Sequence, residues 1–120
     1  MTYTLTGRVI SKKNSKQIFR AGGRTIISTS KAYKIWHEAT LWQLKASKRP
    51  PTPLDGPLTL TIYFYLKGKI DADLDNLTAS ICDVLTDAEI IADDKHITEL
   101  HLFKRSGAPE FSTSLEISQA

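Results

Sequence analysis

Over residues 57–67 the chain alternates strictly, with Leu58, Leu60, Ile62, Phe64 and Leu66 set against Thr59, Thr61, Tyr63 and Tyr65. A period of two separates these sets onto opposite faces of a strand, and the length and β-branched, aromatic content predict a central one. Shorter alternation predicts a first strand over residues 3–9 and two closing strands over 97–104 and 111–118, joined across 105–109. Between the first strand and the first helix, residues 17–20 and 24–27 read as a hairpin turning at Gly22-Gly23. The period changes to that of a helix twice. Ser28, Thr29 and Ser30 offer hydroxyl caps, and no Pro or Gly follows until Pro50. Ile35, Ala39, Trp42 and Ala46 fall at i, i+4, i+7 and i+11 and predict a buried stripe, widened by Tyr33, Trp36 and Leu44. On this reading both tryptophans are core residues rather than base-stacking ones. Leu74, Leu77, Ile81 and Leu85 predict a second helix over about 74–86. The elements add up to one small α/β (α+β) domain over residues 1–120, a mixed sheet of about five to six strands with two main helices.

Charge changes this picture more than composition does. The net charge is only +3, and 41% of residues are hydrophobic. Residues 1–50 carry eleven Lys and Arg against Glu38 alone, net +10; the remaining seventy carry five against twelve acids, net −7. Between Asp71 and Asp94 there are eight acids and no Lys or Arg. The first half fits a polyanionic partner, with Lys12, Lys13, Lys16, Arg20 and Arg24 on a polar loop and hairpin as candidates to meet it, and the second half fits a cation. No apolar run approaches the roughly 20 residues needed to cross a bilayer, and the N-terminal segment has no apolar signal core. Cys82 is the one cysteine and has no internal disulfide partner. The expectation is a soluble protein of a reducing, cytoplasmic compartment.

The acids are spaced rather than scattered. Asp71, Asp73 and Asp75 alternate where strand gives way to helix, with Asp73 at the N-cap position and Asp75 and Asn76 in the first turn. One acid suffices for a cap, and three at close quarters repel unless a cation compensates. A calcium-binding loop opening at Asp71 would need Gly at Asn76 and Glu at Cys82, so that reading is rejected. Asp93-Asp94 follow the second helix. If the connection runs back along that helix, three or four carboxylates gather into the oxygen-rich set that Mg²⁺ or Mn²⁺ prefers and phosphodiester hydrolysis uses.

Asp73-Leu74-Asp75-Asn76-Leu77, Ile81-Cys82-Asp83-Val84-Leu85 and Ile91-Ala92-Asp93-Asp94-Lys95-His96-Ile97 together resemble the core of the RusA family of Holliday junction resolvases. The segment Gly7 to Lys16 ahead of the hairpin is also similar, so the resemblance covers nearly the whole chain. It implies a small α/β homodimeric endodeoxyribonuclease that uses Mg²⁺ to resolve four-way DNA junctions by paired symmetric nicks, in recombination and repair. It also implies that Asp73, Asp75 and Asp94 are catalytic metal ligands, with Asp93 adjacent, Asn76 supporting the helix start and Asp71 peripheral.

The sequence departs from the family at one position: a lysine is usual one helical turn after the second Asp, and Ala79 stands there. Lys69, Lys95 and Lys13 are candidates to replace its charge, Lys69 also as a DNA contact. The alternative is a junction-binding protein with weak or lost nuclease activity. His37, His96 and His101 lack metal-site partners in sequence and read as structural or surface residues, and Cys82 as a small core residue.

Overall fold

A computed structural model describes residues 1–11, 16–21, 24–29 and 31–119, with the backbone alone for 16–21 and 24–29. Its elements, in order, are β1 (Thr2–Thr6), β2 (Lys16–Ala21), β3 (Arg24–Thr29), α1 (Lys31–Ala46), β4 (Leu58–Lys67), α2 (Leu74–Asp87), a 3-10 turn over Asp94–His96, β5 (Ile97–Ala108) and β6 (Ser112–Gln119). The predicted β4 is central as expected, with Leu58, Leu60, Ile62, Phe64 and Leu66 buried on one face.

The sheet is smaller than expected. Four strands pair in the order β1-β6-β4-β5, and β2 and β3 form a separate two-stranded ribbon, where one sheet of five to six strands was predicted. The ribbon pairs in register from Lys16↔Thr29 to Ala21↔Arg24. Each of its strands finds its partner two residues away in sequence, and the polar run from Ser11 to Lys16 has no apolar anchor to draw it onto the core. The first closing strand is longer than expected, since β5 runs on to Ala108, and β5 and β6 flank β4 on either side. β5 is parallel to β4, and β6 is antiparallel to it. A parallel pair needs a crossover, and α2 supplies it. The carboxyl ends of β4 and β5 therefore lie at the same end of the sheet, where the chain enters α2.

The core joins Tyr3 and Leu5 of β1, the inner row of β4, Leu115 and Ile117 of β6, and one face of each helix. On α2 that face is Leu77, Ile81, Val84 and Leu85; Leu77, Ile81 and Leu85 follow the predicted stripe, Val84 joins them, and Leu74 is only partly buried. On α1 the expected stripe is inverted. Tyr33, Trp36, Thr40 and Leu44 are buried, whereas Ile35 and Trp42 are 59% and 65% exposed. Both faces of α1 carry apolar residues, and polar complementarity decides between them. The Tyr33 face brings a hydroxyl and the His37 ring against Asp83 and Asp87 of α2, groups the Ile35 face could not satisfy.

The far end of α2 closes with a Schellman arrangement: Ile90 N–H donates to Leu85 O at 3.1 Å and Glu89 N–H to Thr86 O at 3.0 Å, while Leu85 and Ile90 are both fully buried. Glu89 takes the left-handed position, at φ 60°, that glycine usually fills. This reversal sends residues 90–92 back, with Leu54 N–H donating to Ile90 O and Ala92 N–H to Leu54 O.

Candidate active site

The turn from β4 into α2 carries the acidic motif, and its hydrogen bonds show which acids are structural. Gly68 and Gly107 tie the carboxyl ends of β4 and β5 together, Gly107 N–H donating to Gly68 O at 2.8 Å. Next along β4's exit, Lys104 reaches from β5 to contact Asp71 Oδ1 at 2.6 Å and donate to Ala72 O at 3.1 Å. The Lys104 ammonium, with the Ala72 N–H, holds the Asp71 carboxyl below the usual carboxylate range. Asp71 is thus a partner of Lys104, and it lines the same cleft as Asp73. Lys104 itself escapes sequence reasoning, because only the parallel pairing Phe64↔Lys104 puts a residue 32 positions beyond Ala72 beside this turn.

Asp73 occupies the N-cap position, yet its side chain makes no capping hydrogen bond. Its carboxylate is exposed and its contact is with Asn76, whose Nδ2 donates to Oδ2 at 3.4 Å. The exposed Asp75 accepts from Asn76 N–H at 3.0 Å. The simple capping account of these acids therefore fails for Asp73, the residue best placed for it.

The returning connection brings the second acidic pair back beside α2. Asp94 lies close enough to Cys82 for its charge to act on the thiol: burial first, then Asp94 and Asp83, push Cys82 up to about 11. Cys82 is a protonated, partly buried thiol, as expected of a packing residue. It lies two turns, about 10 Å, along the helix from Asp75, with exposed Ala79 between them. Asp93 accepts from Lys95 N–H at 2.9 Å and caps the 3-10 turn. That bond, and a second to Asp94, hold Asp93 low, whereas the bond from Asp93 and burial raise Asp94. When ionised, two adjacent carboxylates offer oxygen ligands to a hard cation.

Asp73 lines a cleft whose other walls include Arg8, Ser11, Tyr65 and Phe111. Arg8 lies over the Phe111 ring at 5.4 Å, so a guanidinium and an acidic turn share one cleft. Ser80 of α2 donates to Ile10 O at 2.7 Å, fixing the chain to α2 just before the basic loop. Lys12 and Lys13 lie outside the described residues. Lys16, Arg20 and Arg24 fall on the ribbon, where the description stops at the backbone. Lys69 and Lys95 are exposed and flank the two acidic segments.

Among the described residues, the His, Cys, Asp or Glu ligand atoms that lie within 4.8 Å of one another as a group of three belong to His37, Asp83 and Asp87. Asp73, Asp75 and Asp94 are not brought to that spacing. His37 Nε2 is 2.7 Å from Asp87 Oδ2, and Tyr33 OH donates to Asp83 Oδ2 at 2.5 Å with His37 Nδ1 3.2 Å away. Burial, then the bond to Asp83, raise the Tyr33 hydroxyl well above its ordinary value. This network clasps α1 to α2, and it gives His37 two carboxylate neighbours that its spacing in sequence does not show. His101 pairs with Glu99 at 3.4 Å, on the exposed part of β5.

No helix among the described residues is long and apolar enough to cross a membrane. A search of curated proteins finds no match to the chain. The family model for endodeoxyribonuclease RusA matches residues 7–117, which takes in the cleft, both acidic segments, the ribbon and both helices. The chain belongs to the RusA endodeoxyribonuclease family.

Proposed function

We propose that this protein is a divalent-metal-dependent nuclease that resolves four-way DNA junctions by paired, symmetric nicks, working as a homodimer. Membership of an endodeoxyribonuclease family supports DNA as substrate. The observation that carries the reading to these residues is Asp73: at a helix start whose cap it could supply, its carboxylate is left exposed in a cleft it shares with Arg8. The donor set also fits Mg²⁺ or Mn²⁺. Asp73, Asp75, Asp93 and Asp94 offer carboxylate oxygens only, and the nearby Cys82 is held as a thiol.

In this reading Asp73, Asp75 and Asp94 hold the ion, with Asp93 beside them. When bound, it supplies an activated water and a counter-charge for the leaving oxygen. The protein's own part is positional. Lys104 pins the Asp71–Ala72 turn to β5, Asn76 orients Asp73, and the Asp93 cap fixes Asp94 at the start of its turn. Lys12, Lys13, Lys16, Arg20, Arg24 and Lys69 hold backbone phosphates, which gives affinity and register with little sequence reading. Two copies about a two-fold axis suit a substrate whose opposed strands are cut in pairs.

Ala79 favours a second reading, a junction binder with weak or lost cleavage, because the exposed position between Asp75 and Cys82 carries no positive charge. We assign that charge to Lys69, Lys95 or Lys13. Replacing each by Ala in a junction-cleavage assay tests the assignment: at least one should slow cleavage, and unchanged rates for all three contradict it. Asp73→Asn should abolish cutting while leaving junction affinity intact or higher, since it removes a repulsive charge without changing shape. Retained cutting by Asp73→Asn contradicts the metal assignment.

A further inference from the structure

The inverted face of α1 leaves a surface that the nuclease reading does not use. Trp42 points directly away from the buried line of Tyr33, Trp36, Thr40 and Leu44, and is 65% exposed. At 100° per residue, Lys31, Lys34 and Lys45 fall on one flank of it with Glu38, and Ile35, Ala39 and Ala46 on the other. The Lys45 ammonium sits over the indole, 5.7 Å from its centroid. Just beyond, Lys45 lines a small polar pocket with Ser47, Arg49, Pro50, Pro53 and Glu89. An aromatic face with a cation on it thus stands beside a pocket edged by a lysine and an arginine, with Glu89 also in its lining and the Ser47 hydroxyl bonded to Gln43 O.

We infer that this face is a second contact for branched DNA, with a base uncovered at the branch point stacked on Trp42 and the neighbouring phosphate held by Lys45 and Arg49. The inference rests on the proposed action on DNA junctions. Charge complementarity selects the occupant. From Lys31 to Arg49 the chain has five basic residues and one acid, Glu38, which suits a polyanion. A second copy docked here by two-fold symmetry would instead bring both lysine flanks together, six ammonium groups on the two helices against two glutamates. Indole is also a sequence-tolerant platform for a base, and a branch point exposes bases that an intact duplex keeps stacked.

The test measures binding in Ca²⁺ or EDTA, so that no strand is cut, to a fluorescent four-way junction and to a linear duplex of equal length. Trp42→Ala should weaken junction binding about tenfold relative to duplex binding, as expected for the loss of one stacked base, and Trp42→Phe should restore most of it. Lys45→Gln with Arg49→Gln should weaken junction binding and lower its salt slope by about two phosphate contacts. Junction addition to wild type should protect Trp42 from acrylamide quenching, whereas buried Trp36 is shielded throughout. A junction preference for Trp42→Ala within twofold of wild type overturns the inference, as does sedimentation showing that this variant only dissociates a dimer. Wild-type cleavage in Mg²⁺, run alongside, separates the failures. A wild type that binds and cuts while Trp42→Ala keeps its preference defeats this inference alone; a wild type that binds no junction defeats both readings.

Discussion

At the scale of single residues, the acids between Asp71 and Asp94 divide by what already satisfies them. Asp71 is tied to Lys104 and Asp83 to Tyr33, so these carboxylates serve the fold. Asp73 and Asp75 are exposed at the start of a helix, one bonded only weakly to Asn76 and the other to a neighbouring amide. Asp75→Asn should therefore leave the melting temperature within about a degree or two of wild type, because surface changes of this kind stay within about 0.5 kcal/mol. The same change should remove metal-dependent cleavage, and thermal melting beside the cleavage assay checks both halves. Cys82 gives a prediction of opposite character. With its thiol raised to about 11, the thiolate is scarce at neutral pH, so alkylation by iodoacetamide should be slow at pH 7 and accelerate tenfold per pH unit up to that value. A fast reaction at pH 7, followed by mass spectrometry, contradicts the described environment. The spaced acids were legible in the sequence, since alternation at a strand-to-helix boundary shows itself. Lys104 was not, because its place depends on a parallel strand pairing that no local pattern encodes.

At the scale of elements, α1 shows why periodicity names a helix before it names the buried side. Both of its faces are apolar enough to be core, and the choice rests on Tyr33 and His37 meeting Asp83 and Asp87 fifty residues away. The two tryptophans consequently differ in energetic weight. Trp36→Ala should cost about 3–5 kcal/mol by opening a cavity in the core, while Trp42→Ala should cost less than about 0.5 kcal/mol; urea unfolding of the two variants measures both. Equal destabilisation contradicts the orientation of α1. The end of α2 offers a change of the other sign. Glu89→Gly should stabilise by about 0.5–1 kcal/mol, because the left-handed position costs any side chain with a Cβ, and a lower melting temperature would count against the φ of 60°. Strand and helix positions followed the sequence closely; the ribbon's separation from the sheet did not, since alternation does not tell which edge a hairpin joins.

At the scale of the whole molecule, the charge split between the halves of the sequence becomes a division of surfaces. The strongly acidic stretch folds into α2 and the connection that returns to Cys82, and the basic half supplies Arg8 to the cleft beside Asp73 and the exposed lysines of α1. The net charge of +3 understates this arrangement, because a bound divalent ion would neutralise part of the acidic side and leave the basic surface to face phosphates. Binding should therefore be steeply salt-dependent, and the measurement that bears most directly on the central claim is cleavage itself. A synthetic four-way junction labelled on each strand in turn, incubated with the protein and Mg²⁺, should yield symmetric nicks on two opposed strands, with none in EDTA and none with Asp75→Asn. Intact junctions under Mg²⁺, or cutting that persists in EDTA or in Asp75→Asn, would contradict a metal-dependent resolvase built on these acids.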